Sequence, residues 1–212
     1  MKDIIIVGAG GFGREAYYLI KAINAVDPRW NVKGFINDIP VDLRSKKIDV
    51  PIIGAIKDWQ PSENEVFALG LSRPKDKRKV VEILKRKGAC FATIIHPRAM
   101  ILDDVELGEG CIVGGTSYIG ACAKLGDFVF VAGSVVGQDR IIGDFSTITD
   151  SANVATGNVG RNVFVGSHSV VLKDVSDDAI LAAGSIVMKR VKQGEIVFGN
   201  PAHVVGRVDE GL

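Results

Sequence analysis

The sequence predicts a two-part fold: a Rossmann-like α/β domain over residues 1–94, then an all-β, left-handed parallel β-helix over residues 95–212. The first part alternates continuous apolar runs with amphipathic segments, which is typical of a parallel sheet with crossover helices. The second part repeats an aliphatic residue every six positions, which indicates the short strands and turns of a β-helix. The low aromatic content, 7%, and the 25 glycines fit this repetitive β architecture.

The α/β prediction rests on four apolar strands and two helices. The strands are predicted at residues 4–7, 32–36, 52–54 and 66–70. The first helix follows Gly13 and buries one face, which consists of Ala16, Leu19, Ile20 and Ile23. The second helix covers residues 74–87 and directs its lysines outward. Parallel strands joined by helices predict a small sheet with right-handed crossovers.

The β-helix prediction rests on an unbroken six-residue series, made of Ile95, Ile101, Leu107, Val113, Ile119, Leu125 and Val131. The period resumes at Ile142 and again at Val159, each time one residue early, so we expect a shortened turn or a bulge at both places. The period lapses over residues 172–179, where we expect a surface loop. A coiled coil would need a period of about 3.5 residues, which this pattern excludes.

Composition and charge exclude several classes of protein. A net charge of +1 gives no reason to expect binding to nucleic acid or to an anionic membrane surface. No apolar run approaches the ~18–20 residues that span a bilayer, and the N-terminus lacks a secretory cleavage pattern, so we expect a cytoplasmic protein without membrane insertion. Three cysteines without a Cys-x-x-Cys pair predict buried, reduced thiols, and three dispersed histidines predict no metal site.

Several motifs carry a resemblance to a known family. Residues 95–97, Ile-His-Pro, resemble its domain junction, and residues 142–145, Ile-Gly-Asp-Phe, resemble its central coils. Residues 197–202, Val-Phe-Gly-Asn-Pro-Ala, resemble the C-terminal tail of acyl-CoA-dependent β-helix transferases. The whole chain resembles the hexapeptide-repeat sugar acyltransferases, in the branch of the sialic acid O-acetyltransferases and the N-acetyltransferases of nucleotide-linked amino sugars. The resemblance implies a homotrimer that uses acetyl-CoA, with active sites between subunits.

A glycine motif, Gly8-x-Gly10-x-x-Gly13, follows the first strand and opens a helix. Glycine lets a backbone approach a phosphate closely, and a helix N-terminus favours negative charge. The resemblance implies that the uracil or guanine nucleotide of a sugar substrate binds here, against Gly8, Gly10, Gly11, Phe12, Asn37, Asp38, Gly70, Ser72 and Arg73. Alternatively, the glycines only pack the helix against the strand. A dehydrogenase is not predicted, because the rest of the chain is β-helix.

The general base of the family is missing from its usual place. The family places a histidine and an acidic residue before Ile-Gly-Asp-Phe, where this chain has Gln138-Asp139, and often a second histidine where it has Thr147. Three hypotheses follow: Asp139 is the base if burial raises its pKa, His168 replaces the base, or Gln138 orients an amine that needs little more than orientation. His168 lies five hexapeptides beyond Gln138 and hence on a different corner, so the two would meet only across a subunit interface.

The resemblance also implies that acetyl-CoA lies between neighbouring β-helices, against Gly166, Ala183, Gly184, Gly199 and Ala202. Lys189 and Arg190 are candidates for the CoA phosphates; alternatively, they belong to a solvated edge. The predicted function is therefore N-acetylation of a nucleotide-linked amino sugar in glycan or surface-polysaccharide synthesis. The alternatives are a sugar O-acetyltransferase and a non-catalytic, trimeric nucleotide-sugar-binding protein that has lost its base.

Overall fold

The computed structural model describes residues 1–208 and divides into two compact units, Met1–Pro97 and Arg98–Leu212. The first unit contains two helices, α1 (Gly11–Val26) and α2 (Pro74–Arg86), and a 3-10 helix at Arg44–Lys46. Its strands are β1 (Lys2–Val7), β2 (Trp30–Ile36), β3 (Ile52–Gly54), β4 (Glu65–Leu69) and β5 (Ile94–Ile95).

The first unit is built on a parallel sheet with the strand order β3-β2-β1-β4. The apolar run of β1 lies in the middle of this sheet and is fully buried, as expected for a strand covered on both faces. The predicted apolar face of α1 is buried as well. The prediction that the lysines of α2 face outward is wrong for Lys77, which is only 1% exposed because it lies on the buried side of the helix with Val81 and Leu84.

The second unit is a parallel β-helix with three faces. Face 1 consists of β6 (Met100–Ile101), β9 (Tyr118–Ile119), β12 (Val135–Val136), β15 (Asn153–Val154), β17 (Val170–Val171) and β19 (Ile186–Val187). Face 2 consists of β7 (Glu106–Leu107), β10 (Lys124–Leu125) and β13 (Ile141–Ile142), continued by single bridges through Val159, Val175 and Val191. Face 3 consists of β8 (Ile112–Val113), β11 (Phe130–Val131), β14 (Thr147–Ile148), β16 (Phe164–Val165), β18 (Ile180–Leu181), β20 (Glu195–Phe198) and its antiparallel partner β21 (His203–Arg207).

The chain visits faces 1, 2 and 3 in turn, so the turns stack at three corners, named here corner 1–2, corner 2–3 and corner 3–1. The second residue of each short strand points into the core, and the stack on face 3 is almost fully buried at Val113, Val131, Ile148, Val165 and Leu181. The predicted fold class is confirmed: the six-residue period is the repeat that fills this core.

The core stack of aliphatic side chains continues through the places where the six-residue period is interrupted. Val136 lies five residues after Val131 and fills the apparent gap before Ile142. The surface loop predicted over residues 172–179 is wrong, because Val175 is 2% exposed and bridges Val159 and Val191. The turn that precedes Val175 is shorter than six residues, which hides the repeat in the sequence but keeps the side chain in the core.

Corner 2–3 explains the Ile-Gly-Asp-Phe motif structurally. Asp144 Oδ1 accepts a hydrogen bond from the backbone N–H of Asp127 at 2.9 Å, and Asp127 Oδ1 accepts one from Glu109 at 2.8 Å. The rings of Phe128 and Phe145 stack with centroids 5.1 Å apart. Asp144 and Phe145 therefore both contact the preceding coil at this corner, Asp144 through a hydrogen bond and Phe145 through ring stacking.

Replacing Ile148 with alanine is expected to destabilise the β-helix by about 2–5 kcal/mol, because it leaves a cavity in the stack. Ile148 is 0% exposed, whereas Ile141, seven residues earlier, is 51% exposed and offers a matched control. Urea unfolding followed by far-ultraviolet circular dichroism measures both variants. Equal midpoints for Ile148→Ala and Ile141→Ala would contradict the inward stack.

The three cysteines are free, and the prediction that they are buried is wrong for two of them. Cys111 is buried, but Cys122 is exposed because it occupies the left-handed position of a corner, with φ of 59°, and Cys90 is exposed after α2. Within residues 1–208, no helix has the length and apolar character needed to cross a membrane. The same residues form no cluster of three potential metal ligands from His, Cys, Asp or Glu.

Candidate functional site

The carboxyl ends of β1, β2 and β4 bring the predicted substrate-binding residues to one edge of the first unit's sheet. The strand order reverses beside β1, because the chain passes from β1 to β2 and β3 on one side and returns to β4 on the other. Ligands of open parallel sheets bind at such a reversal. The loops after β1 and β4 lead directly into α1 and α2, so two helix N-termini, which favour anions, open at this edge.

The glycine motif divides into packed and open positions. A Cβ at Gly13 would lie 1.8 Å from the carbonyl oxygen of Gly8, and one at Gly70 would lie 2.3 Å from Cα of Gly13. Packing therefore accounts for these three glycines, as the structural alternative predicted. Gly10 and Gly11 are exposed, and a Cβ at either would meet no atom within 4 Å. The chain itself gives no reason for glycine at these two positions.

Asn37 holds the loops of this edge together. Its Oδ1 accepts a hydrogen bond from the backbone N–H of Ala9 at 3.0 Å, and its Nδ2 donates to the carbonyl of Ile39. The side-chain amide of Asn37 is thus engaged by the chain itself. Asp38 is exposed, and its carboxylate accepts only a long hydrogen bond, 3.4 Å, from the backbone N–H of Lys57. Of the two residues predicted to contact a base or ribose, Asp38 is the one with free acceptor capacity.

Phe12, Ser72 and Arg73 complete the edge. Phe12 is half-buried in the first turn of α1, and Ser72 is half-buried in the loop after β4. Arg73 is exposed and stands at the N-cap position of α2. An exposed guanidinium at a helix N-terminus is a suitable environment for phosphate groups.

The candidate residues of the β-helix lie in two rows, along the two corners that flank face 1. The corner 1–2 row consists of Gln138, Asp139, Lys189 and Arg190, which follow β12 and β19. The corner 3–1 row consists of Gly166, His168, Ala183, Gly184, Gly199 and Ala202, which precede β17 and β19 or follow β20. Within one chain, the structure therefore separates His168 from Gln138 and Asp139 by the width of face 1.

At corner 1–2, the Gln138–Asp139 turn is held by its backbone. Asp139 has a left-handed conformation, φ 59°, and its N–H donates to the carbonyl of Ala121 at 2.9 Å. Arg140 donates from Nε to the carbonyl of Gln138 at 2.9 Å and from Nη1 to the carbonyl of Thr156 in the next coil. The side chains of Gln138 and Asp139 are exposed, so the burial that would make Asp139 a base does not exist within one chain.

Sequence reasoning missed Arg140. Arg140 lies between a polar turn and an apolar strand and belongs to no recognisable sequence motif. Only the structure shows that its guanidinium joins two coils at this corner.

At corner 3–1, His168 is exposed in the left-handed turn conformation, with φ of 59°, and its backbone N–H donates to the carbonyl of Asp150 at 3.1 Å. This conformation recurs at the corners, so it is a property of the β-helix turn and does not mark His168 as strained for function. A Cβ at Gly166 would lie 2.6 Å from the backbone nitrogen of Ala183, so coil packing accounts for that glycine.

The tail continues the same corner. The backbone N–H of Ile186 donates to the carbonyl of Gly199 at 2.9 Å, and that of Ala202 donates to the carbonyl of Ile186 at 2.9 Å. Ala183 and Gly184 are exposed one coil earlier, and Gly184 has the positive φ of 76° that favours glycine. The small residues predicted to accept a pantetheine arm therefore lie along one edge, while Lys189 and Arg190 are exposed on the other.

The chain combines an α/β unit that has an open sheet edge with a hexapeptide-repeat β-helix, which is the fold that the sequence resemblance implied. Residues 3–84 match the family of PglD N-terminal domains. None of the curated proteins matches this chain in sequence.

Solved structures share the fold over almost the whole chain. The acetyltransferase domain of PglB from Neisseria gonorrhoeae has a TM-score of 0.84 at 22% identity, covering 97% of this chain and 100% of its own. WeeI from Acinetobacter baumannii has a TM-score of 0.83 at 22% identity, covering 97% and 100%. PerB from Caulobacter crescentus, solved with CoA and GDP-perosamine, has a TM-score of 0.81 at 21% identity, covering 97% and 98%. The domain match supports the family resemblance over residues 3–84, and the structural matches establish the fold of the whole chain.

Proposed function

We propose that this protein is an acetyl-CoA-dependent acyltransferase that N-acetylates an amino sugar carried on a nucleotide, in glycan or surface-polysaccharide synthesis. One observation carries the proposal: Gly10 and Gly11 leave an unobstructed helix N-terminus at the strand reversal of the first unit, in a chain whose whole fold matches PerB solved with CoA and GDP-perosamine. Since the cell makes nucleotide sugars and acetyl-CoA in the cytoplasm, the protein acts there.

The first unit binds the nucleotide. Gly10 and Gly11 let the pyrophosphate approach the N-terminus of α1, where backbone N–H groups and the helix dipole favour an anion. Arg73 supplies a positive charge beside the second helix, and Asp38 accepts hydrogen bonds from the base or the ribose. Asn37 keeps the glycine loop in place through Ala9.

The second unit binds acetyl-CoA and assembles as a homotrimer. Face 1 exposes apolar side chains at Met100 (58%) and Val135 (38%), and face 2 exposes Ile141 (51%) beside the charged pair of Glu106 and Lys124. Contact between copies at face 1 buries its apolar residues and brings the corner 3–1 row of one copy towards the corner 1–2 row of another. The pantetheine arm then lies along the small residues, with the CoA phosphates near Lys189 and Arg190.

The residues at corner 1–2 favour an amine over a hydroxyl as acceptor. Gln138 has no proton-accepting group at neutral pH, and Asp139 is exposed. A sugar hydroxyl keeps its proton at neutral pH and needs a base during attack on the thioester, whereas an amine attacks through a lone pair once it is neutral and oriented. N-transfer is therefore the reaction that this site supports best.

Gln138 also favours a second candidate, a trimer that binds nucleotide sugars without turnover. The two candidates differ in whether the second unit binds acetyl-CoA. A transferase must bind it as the acyl donor, whereas a protein that only binds nucleotide sugars does not require it.

Calorimetric titration with acetyl-CoA tests the proposal. We expect a Kd near the micromolar range, about −8 kcal/mol of binding free energy. Replacing both Lys189 and Arg190 with glutamine is expected to weaken binding about tenfold, because two charge-assisted contacts to phosphate are lost. Lys33 and Arg29, exposed in the first unit, provide a matched double-glutamine control. The absence of heat with acetyl-CoA, together with binding of nucleotide sugars, would favour the second candidate.

A further inference from the structure

We propose that the basic face of α2, formed by Lys75, Arg78, Lys79 and Arg86, attracts the nucleotide-linked sugar by its negative charge and speeds its association with the first unit. The inference rests on the proposed function, because it gives residues outside the binding loops a role in capturing that substrate. It concerns the rate of binding, whereas Arg73 and the open glycines concern contacts of the bound state.

The net charge of the whole chain conceals a separation of charge between the two units. The first unit, residues 1–97, contains 17 of the 26 lysines and arginines but only 11 of the 25 acidic residues. Within it, residues 73–87 hold eight of the basic residues and two of the acidic ones, so the rest of the unit is neutral. The positive excess of the first unit is therefore concentrated on α2 and the residue on either side of it.

The helix presents this charge on the side opposite its buried residues. Lys75, Lys79 and Arg86 are spaced by four and seven residues, which places them on one stripe of an α-helix. All three residues are exposed, as is Arg78 beside them, and the buried residues of α2 lie on the other side. The cations thus form one continuous basic surface.

Most of this surface charge is not neutralised by the protein. Lys75, Lys79 and Arg86 make no side-chain hydrogen bond and no ion pair with any residue in 1–208. Arg78 pairs with Glu82 at 3.1 Å, but the two side chains are 60% and 49% exposed, so solvent screens the pair. The basic face is therefore available to an approaching anion.

The arrangement is unfavourable for the helix itself. The helix dipole favours acidic residues in the first turn and basic residues in the last, a rule that Asp76 and Arg86 follow. Lys75 lies in the first turn against this rule, and Lys79 follows one turn later on the same face, where like charges repel. The stability of the fold does not explain these two lysines, and such local conflicts are expected at functional positions.

The helix begins at the sheet edge where the nucleotide is proposed to bind. At about 1.5 Å per residue, Lys75 and Lys79 lie about 3 and 9 Å along the helix axis from Arg73, whereas Arg86 lies about 20 Å away. The Debye length is about 8 Å at physiological ionic strength. Lys75 and Lys79 therefore act on an arriving pyrophosphate under these conditions, whereas Arg86 acts mainly at low salt.

The distribution of charge favours a small anion over a macromolecule. In the second unit, residues 98–212, acidic residues outnumber basic ones, which disfavours an extended partner such as nucleic acid or an anionic membrane. A nucleotide sugar needs only the field of one helix. Charge of one sign beside a site raises the local concentration of an oppositely charged ligand and hence its association rate.

Stopped-flow binding of fluorescent derivatives of UDP, dTDP and GDP tests this role, in wild type and in the double variant Lys75→Gln/Lys79→Gln. At an ionic strength of about 20 mM, we expect the variant's association rate constant to be about fivefold lower, because the two nearest charges are lost. At about 1 M, we expect a difference of less than about twofold, since salt screens the field. The dissociation rate constant is expected to stay within about twofold of wild type. An unchanged association rate at low salt, or a decrease of equal size at both salt concentrations, would overturn the proposal.

Lys85→Gln/Arg86→Gln is the matched control, because it removes the same charge from the last turn of the same helix. At about 150 mM ionic strength, we expect this control to associate as fast as wild type, and the Lys75/Lys79 variant to be slower by about twofold. Lys75→Arg/Lys79→Arg keeps the charge and is expected to keep the wild-type rate. Equal effects of the two double-glutamine variants, or a slow double-arginine variant, would contradict steering by these lysines.

Thermal unfolding separates steering from a structural role. Because Lys75 and Lys79 repel each other and oppose the helix dipole, their replacement by glutamine is expected to leave the Tm unchanged or to raise it. A structural role predicts a lower Tm, and a slower association accompanied by such a loss would count against steering.

The rates also distinguish failure of this inference from failure of the proposed function. If wild type transfers acetyl groups but the Lys75→Gln/Lys79→Gln variant binds nucleotide at the wild-type rate in low salt, the inference alone fails. If nucleotides bind with the expected salt dependence but no acetyl transfer occurs, the proposed function alone fails. If wild type binds none of the UDP, dTDP and GDP derivatives, both fail.

Discussion

Replacing Gly13 with alanine is expected to destabilise the first unit by about 3 kcal/mol or more. The new Cβ would lie 1.8 Å from the carbonyl oxygen of Gly8, in a region where Gly70 also leaves no room. The obstructing atoms are backbone, so the helix must move away from β1 and β4. Both tryptophans, Trp30 and Trp59, belong to the first unit, so tryptophan fluorescence during urea unfolding follows this unit alone.

Gly11→Ala is the matched control for this experiment. It adds the same methyl group two residues earlier in the same helix, where no atom lies within 4 Å. Because alanine favours helix more than glycine does, this variant is expected to be as stable as wild type or more stable by up to about 1 kcal/mol. Similar losses of stability in the two variants would contradict the division into packed and open glycines.

Replacing Gly11 with leucine is expected to weaken nucleotide-sugar binding about 100-fold without loss of stability. Leucine is a good helix former, and the exposed position at the start of α1 has space for it. Its side chain would occupy the space in front of the helix N-terminus and keep the pyrophosphate from one or two charge-assisted hydrogen bonds. Calorimetry with the preferred nucleotide sugar measures the loss.

Acetyl-CoA binding provides the internal control for Gly11→Leu. We expect its affinity to stay at the wild-type value, because the proposed CoA residues lie in the second unit. Retention of full nucleotide-sugar affinity in Gly11→Leu would place the nucleotide elsewhere. Loss of both affinities would indicate a global effect of the substitution.

The fold was predictable from sequence because its core is periodic. Every short strand contributes one inward aliphatic residue. A core residue such as Ile119 therefore predicts that the next core residue, Leu125, lies six positions later. The prediction failed where the turns vary in length: Val175 remains in the core although its turn is shorter than six residues. A search for a fixed six-residue period misses a core residue that follows a short turn. The pairing of neighbouring coils in the structure identifies it.

The site was predictable only as separate motifs. The sequence singled out Gly8, Gly10, Gly11 and Gly13 together, but the space at Gly13 also depends on Gly70, which lies 57 positions later in the chain. Similarly, nothing near Arg140 in sequence indicates that its guanidinium reaches the carbonyl of Thr156, because this contact joins successive coils. Both features depend on contacts between residues that are distant in sequence, which a local sequence pattern does not reveal.

The most direct test of the central claim is acetyl transfer by the purified protein. UDP-, dTDP- and GDP-linked amino sugars are incubated with acetyl-CoA, CoA thiol release is followed over time, and the sugar product is analysed by mass spectrometry. We predict CoA release with at least one amino sugar, gain of a single acetyl group by that sugar, and no release with its hydroxyl analogue. CoA release no faster than the protein-free background with every amino sugar, or acetylation of the hydroxyl analogue instead, would contradict it.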